Sequence, residues 1–159
     1  MAMNIELIVV GKTDMKEVET LVAMYAKRLN HYVRFAITTI ADVRNTKKLS
    51  EGEQKRLEGE AILRLLTPSD YVMLLDEHGA ELRSIEFADL VEKRMSAGIK
   101  RLVFLIGGPY GFSEAVYARA NGKLSLSKMT FSHQIVRAIF LEQLYRAFTI
   151  LKNEPYHHE

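Results

Sequence analysis

His133 and Arg137 are residues whose types and spacing could do chemistry together. Four apart on a helix, they share one face, and a histidine beside a guanidinium can move a proton and support an anion. An exposed His and Arg are also ordinary solvated surface, so the pair gains meaning only beside a ligand loop. Two candidate loops precede it. Gly107-Gly108-Pro109-Tyr110-Gly111 follows an apolar run. Glycines there let backbone approach a ligand with no Cβ in the way, although glycines also merely punctuate chains. The stretch Ser125–Phe131 (SLSKMTF) can offer backbone N–H and C=O groups to a heterocycle. Within it, Met129 and Phe131 read more readily as core than as ligand contacts.

Other chemistries find less support. Gly11-Lys12-Thr13 looks like the end of a phosphate loop, but Glu6 stands where the first glycine of that motif belongs. Gly11 also stands alone on its turn, where a dinucleotide fingerprint needs three glycines. There is no cysteine, which excludes disulfides, zinc ribbons, iron–sulfur sites and thiol nucleophiles. The five histidines show no ligand-like spacing with a third partner, so no metal is expected. Tyr156-His157-His158, from position alone, is a frayed end or a tag remnant.

These residues need a scaffold, and the hydrophobic pattern supplies one. Asn4–Val10, Val33–Ala41, Tyr71–Asp76, Arg101–Ile106 and Lys123–Leu126 read as strands. Between them run helices. The first, from about Asp14, carries Met15, Val18, Val22, Tyr25 and Leu29 as one stripe. A second opens at Ser50 with Glu53 as a capping box and runs to about Leu66, after the polar loop 42–49. Ser84 caps a third, with Phe87, Leu90, Val91 and Met95 inward and Gly98 ending it. Ser113 caps a short fourth, and the last runs from about Ser132 to Leu151. Strand and helix in alternation predict an α/β domain with a mostly parallel sheet and helices on both faces. In such sheets ligands bind beyond the carboxyl ends of the strands, which selects the loops after Val10, Asp76, Ile106 and Leu126.

Composition agrees with one domain over 1–159: 48% apolar and 26% charged residues. A chain of this size buries about two-thirds of its open-chain surface, enough for a core without staples. No apolar run is long enough to span a bilayer, and the first residues lack the pattern of a signal peptide. The cytosol is the expected compartment. Net charge is only +2, too small to announce a nucleic-acid protein. Residues 119–159 hold six basic and three acidic side chains, a weak pointer to an anionic partner near that end. The last helix is apolar around most of its circumference, from Ile135 to Leu151. A surface helix of a monomer should show one stripe, so either a second copy covers it or it runs through the middle of the domain.

The runs LIGGPYG (105–111), LSLSKMTFSHQIVR (124–137), LEQLYRAF (141–148) and Pro155-Tyr156-His157 together resemble the small SPOUT-class rRNA methyltransferases. More narrowly, they resemble those that methylate N3 of a pseudouridine in 23S rRNA. IELIVVGK (5–12) and Tyr71–Gly79 fit as well; residues 42–66 match only in pattern. Ser132 stands where the family commonly has proline, and serine is a good helix cap.

The resemblance implies a C-terminal trefoil knot, a homodimer with sites at the interface, and the assembled ribosome as substrate. It implies S-adenosylmethionine bound by Leu75, Gly107, Gly108, Leu126, Ser127, Lys128, Met129, Thr130 and Phe131. For the chemistry it brings forward Arg137 as anion support and His133 as proton acceptor or orienting group. Tyr156 would stack on a base, His157 would reach base or phosphate, and Glu142 with Arg146 would form a positioning pair. The competing expectations are a SPOUT enzyme acting on a different rRNA or tRNA nucleotide, a non-catalytic ribosome-binding dimer, and a small-molecule α/β enzyme with a phosphate-binding glycine loop.

Overall fold

The structure, a computed structural model, describes residues 2–42 and 49–158. Most of the expected loop 42–49 lies outside the described residues. In chain order the elements are β1 (Asn4–Val10), α1 (Lys16–Leu29), β2 (Arg34–Ile40), α2 (Glu51–Arg64) and β3 (Tyr71–Glu81). They continue as α3 (Ser84–Ser96), β4 (Arg101–Ile106), α4 (Glu114–Arg119), β5 (Gly122–Ser125) and α5 (Ile135–Leu151). The sheet order is β2-β1-β4-β3-β5, and every pairing is parallel.

Parallel strands covered on both faces must be apolar on both faces. In β4, Leu102, Phe104 and Ile106 point to one side and Val103 and Leu105 to the other, all buried. The first side meets Leu29 of α1, Phe87 and Val91 of α3, and Phe140 and Leu144 of α5. The second meets Ile62 of α2 and Val116 of α4.

Helix starts follow local chemistry. Ser50 Oγ accepts from the Glu53 N–H at 3.1 Å, and Ser113 Oγ accepts from the Val116 N–H at 3.3 Å. At α3 the cap shifts by one residue. Ser84 is inside the helix and donates to Gln143 of α5 at 2.9 Å, while the Arg83 N–H donates to Glu86 at 2.7 Å. Regular α5 begins three residues later than expected, yet Ser132 Oγ still accepts from the Ile135 N–H at 3.1 Å.

β3 does not stop at Asp76; it continues to Glu81. β5 pairs first with Met73–Leu75 and then with Ala80 and Glu81, and the register shifts between Leu75 and Ala80. Gly79 lies against β5. A Cβ there would meet the Leu124 nitrogen at 2.6 Å, so only glycine permits this approach. The irregularity pushes residues 76–78 outward at the carboxyl end of the sheet.

α5 lies against α1 and α3 on the sheet, with Phe140 on Phe104 (ring centroids 4.7 Å apart) and Phe148 stacked on Tyr32 (5.7 Å). Most of its apolar circumference is therefore covered within the chain. Ile135 remains 36% exposed and Met15 47%, on either side of a bond from the Asp14 N–H to Gln134 Oε1 at 2.9 Å. β3 leads to α3 on one face and neighbouring β4 leads to α4 on the other. Their outgoing loops part there, which is where a ligand crevice is expected.

Candidate functional site

A cavity of about 540 Å³ opens at that point. Its wall comes from the irregular stretch within β3 (Leu75–His78) and the loops after β4 (Gly107–Phe112) and β5 (Leu126–Phe131), with Tyr117, His133 and Val136 closing it. The volume lies within the usual small-molecule range of about 300–1,000 Å³. Three of the four loops selected from the sequence meet here. The fourth, after Val10, does not.

The β5 loop is shaped by its own serines. Ser125 Oγ donates to the Ser127 carbonyl at 2.9 Å, and Ser127 Oγ accepts from the Met129 N–H at 2.9 Å. Those bonds turn Met129, 77% exposed, and Phe131 toward the cavity and away from the core expected for them. Leu75, Gly107, Gly108, Leu126, Ser127 and Thr130 line it as well. Lys128 does not: it points outward, its ammonium 3.9 Å from Glu81.

The rim carries Asp76 and Glu77. Asp76 accepts the Tyr117 hydroxyl and, through Oδ1, the His78 N–H at 2.8 Å. Burial, the bond to Asp76 and the charges of Asp76 and Glu77 push the Tyr117 hydroxyl up to about 12. A folded pKa above the unfolded one favours folding fully below pH ~10, and that contribution is lost as pH rises towards ~12. We expect the melting temperature to fall across this window, and to fall less in Tyr117→Phe; equal slopes by calorimetry would contradict the assignment.

His133 is exposed and faces the cavity from the turn before α5. Arg137 does not share that position. It is 1% exposed, and its guanidinium is engaged by three backbone carbonyls and one hydroxyl. Nη1 donates to the Gly11 carbonyl (2.8 Å) and Thr13 Oγ1 (2.9 Å), Nη2 to the Val10 carbonyl (2.9 Å), and Nε to the His133 carbonyl (2.9 Å). Gln134 adds a bond to the Lys12 carbonyl at 3.1 Å. The loop after β1 is thus tied to the start of α5, and the side chain expected to support an anion instead holds the scaffold. Burial lowers the Arg137 pKa, opposed by the charge of Asp14.

The other expected residues form a separate cluster. Glu142 Oε2 accepts from Arg146 at 2.8 Å and from the Tyr156 hydroxyl at 2.7 Å. Arg146 also donates to His157 Nδ1 at 3.1 Å and lies 4.8 Å from the centre of the Tyr156 ring. A guanidinium cannot accept, so His157 uses Nδ1 as acceptor and carries any single hydrogen on Nε2. Burial, then the bond to Glu142, raises the Tyr156 pKa. None of these four residues lines the cavity. Arg146 is ten residues beyond Val136 on α5, about 15 Å along the axis.

Sequence reasoning missed Asp76, Tyr117 and Glu58. Glu58 and Gln54 are buried, four apart on the stripe that also holds Ile62. Two polar residues on a core stripe are the signal that was there to find. Among the described residues no group of three or more His, Asp or Glu could hold a metal, and no helix is long and apolar enough to cross a membrane.

Comparison with known proteins places this geometry. A family model described as "Predicted SPOUT methyltransferase" matches residues 3–157. A Flavobacterium psychrophilum protein named ribosomal RNA large subunit methyltransferase H is 59% identical over 157 residues, covering 99% of this chain and 100% of the relative. Proteins of the same name from Christiangramia forsetii and Parabacteroides distasonis are 59% identical over 98% of this chain, with 99% of the relative covered, and 57% identical over 99%, with 100% covered. In fold, the chain resembles a probable methylase family protein from Haemophilus influenzae, with TM-score 0.54 and 12% identity, over 100% of this chain and 72% of the other.

Proposed function

This chain belongs to the SPOUT methyltransferase family, and from that premise we propose that it transfers a methyl group from S-adenosylmethionine to N3 of a pseudouridine in 23S rRNA on the assembled ribosome. The observation that carries the reading is the cavity where the irregular stretch of β3 meets the loops after β4 and β5, in a chain 59% identical end to end to a ribosomal RNA large subunit methyltransferase H.

The lining fits the cofactor. Leu75, Ile106, Leu124, Leu126 and Phe131 offer apolar surface for a heterocycle, and Gly107 and Gly108 offer backbone with no side chain in front. Asp76 and Glu77 place negative charge on the rim, suited to a cationic ligand. Ser127, Met129 and Thr130 complete the grip, and Lys128 acts from outside it. When bound, S-adenosylmethionine supplies an electrophilic methyl on a sulfonium.

The protein has three remaining tasks: placing the base in line, removing the N3 proton, and supporting the resulting anion. His133 at the cavity wall is the group placed to take or relay that proton. Tyr156 offers a ring for a base, and Arg146 a cation held in place by Glu142, with His157 beside it. Because that cluster lies away from its own cavity, the reading requires a homodimer in which one copy's cluster meets the partner's cavity. The exposed Ile135 and Met15 offer apolar area for such an interface. Arg137 serves as a positioning residue. The reading also takes 1–159 as one domain, threads the C-terminal part as a trefoil knot and sets the work in the cytoplasm, where ribosomes are.

Calorimetry tests the cofactor part. S-adenosylmethionine should bind the wild-type chain, and Met129→Asp with Phe131→Asp should weaken binding at least tenfold, since each places a charge on the apolar wall. No binding to the wild type, or unchanged binding to the double variant, would overturn the assignment of this cavity.

A further inference from the structure

We propose that Glu58 is a positioning residue: its carboxyl, wedged from α2 against the Cα of Gly108, sets the place of the glycine loop that walls the cavity. The inference rests on reading that cavity as the cofactor site.

Glu58 is 2% exposed and does not line the cavity; it lies behind the loop. A Cβ on Gly108 would meet Glu58 Oε1 at 2.7 Å and Oε2 at 3.1 Å. The carboxyl therefore fills the space a side chain at 108 would need. Gly108 does not have a positive φ, unlike Gly111, so φ does not bar alanine at 108, and the nearest obstacle to its methyl is the carboxyl.

The carboxyl is not held there by a full set of bonds. Oε2 accepts from Gln54 Nε2 at 3.1 Å, and Oε1 has no hydrogen-bond partner among the described residues. Burying such a group costs stability, so its presence calls for a reason in the structure. Burial pushes its pKa up, with the Asp42 charge acting the same way and the Gln54 bond opposing, which favours the neutral acid and lowers that cost. What the place does is structural: Gly111 turns back to bond the Gly108 carbonyl at 3.1 Å, and the wedge fixes the base of that turn.

The test is a cycle on the full chain, reading both cofactor affinity and the melting temperature of the cofactor-free protein. Gly108→Ala alone should weaken S-adenosylmethionine binding about tenfold, as overpacking displaces the loop. Glu58→Ala alone should weaken it about threefold by loosening the turn. The double variant Glu58→Ala/Gly108→Ala should recover to within about threefold of wild type, because the methyl takes the vacated space. Glu58→Gln keeps the shape, so Glu58→Gln/Gly108→Ala should show no recovery. Losses that simply multiply in the first double variant, or equal recovery in both, would overturn the wedge. If the wild type binds no cofactor, the cavity assignment fails instead, and the same pattern in melting temperature still decides the wedge.

Discussion

Replacing Arg137 with alanine should cost about 3–5 kcal/mol of stability, the largest single effect we expect in this chain. The substitution leaves the carbonyls of Val10, Gly11 and His133 without the donor each now has. Each buried unsatisfied group costs about 1–3 kcal/mol, with part of the sum returned because a buried charge is also removed. For a chain of this size the melting temperature should drop by roughly 10 °C. Lysine at 137 keeps the charge but not the fork, so it should recover less than half of the loss. Urea denaturation midpoints measure both. Were Arg137 the anion support that its spacing from His133 suggests, alanine would abolish methyl transfer at near-normal stability. A loss below about 1 kcal/mol would contradict the clamp.

The second large effect concerns the separation of cavity and cluster. Arg146→Ala should reduce methyl transfer about a hundredfold, the usual cost of a misplaced reacting group, with some stability lost as well because the half-buried Arg146 gives up its bonds to Glu142 and His157. Gly107→Leu should also abolish transfer, by crowding Phe112 and Gly111 and displacing the loop that walls the cavity. Mixed and allowed to exchange subunits, the two inactive proteins should regain about a quarter of wild-type activity. In a twofold dimer half the pairs are mixed, and each mixed pair holds one site with an intact cavity and an intact partner cluster. If the cluster served its own chain's cavity, every site in the mixture would lack one part. No recovery in a mixture shown to exchange would contradict the shared site.

The strand positions were legible because buried parallel strands are continuous apolar runs, and the parallel pairing followed from alternation with helices. What the runs did not show was where β3 ends. The pairing of Ala80 with Leu124 depends on residues far apart in the chain, and Glu77-His78-Gly79 carries every local mark of a turn. The cavity loops were legible from Gly107–Gly111 and from the resemblance, but the orientation of Met129 was not, because it depends on a serine bond two residues away. The bonds of Arg137 were not legible for a simple reason. Helical spacing puts it on the face of His133, and nothing in that spacing says that the loop after β1 comes back to occupy its donors. The apolar α5 raised a choice between a partner copy and the chain's own helices. α1 and α3 account for most of it, so the case for a dimer now stands on the divided site and the exposed residues around Ile135.

The most direct measurement is transfer of a labelled methyl group from S-adenosylmethionine, offered separately to assembled ribosomes, isolated large subunits and total tRNA, followed by mapping of the modified base. The account predicts label on N3 of one pseudouridine in 23S rRNA of the ribosome fraction, and none in tRNA. Label in tRNA, on a different rRNA nucleotide, or in no RNA at all by a chain that binds the cofactor would contradict it.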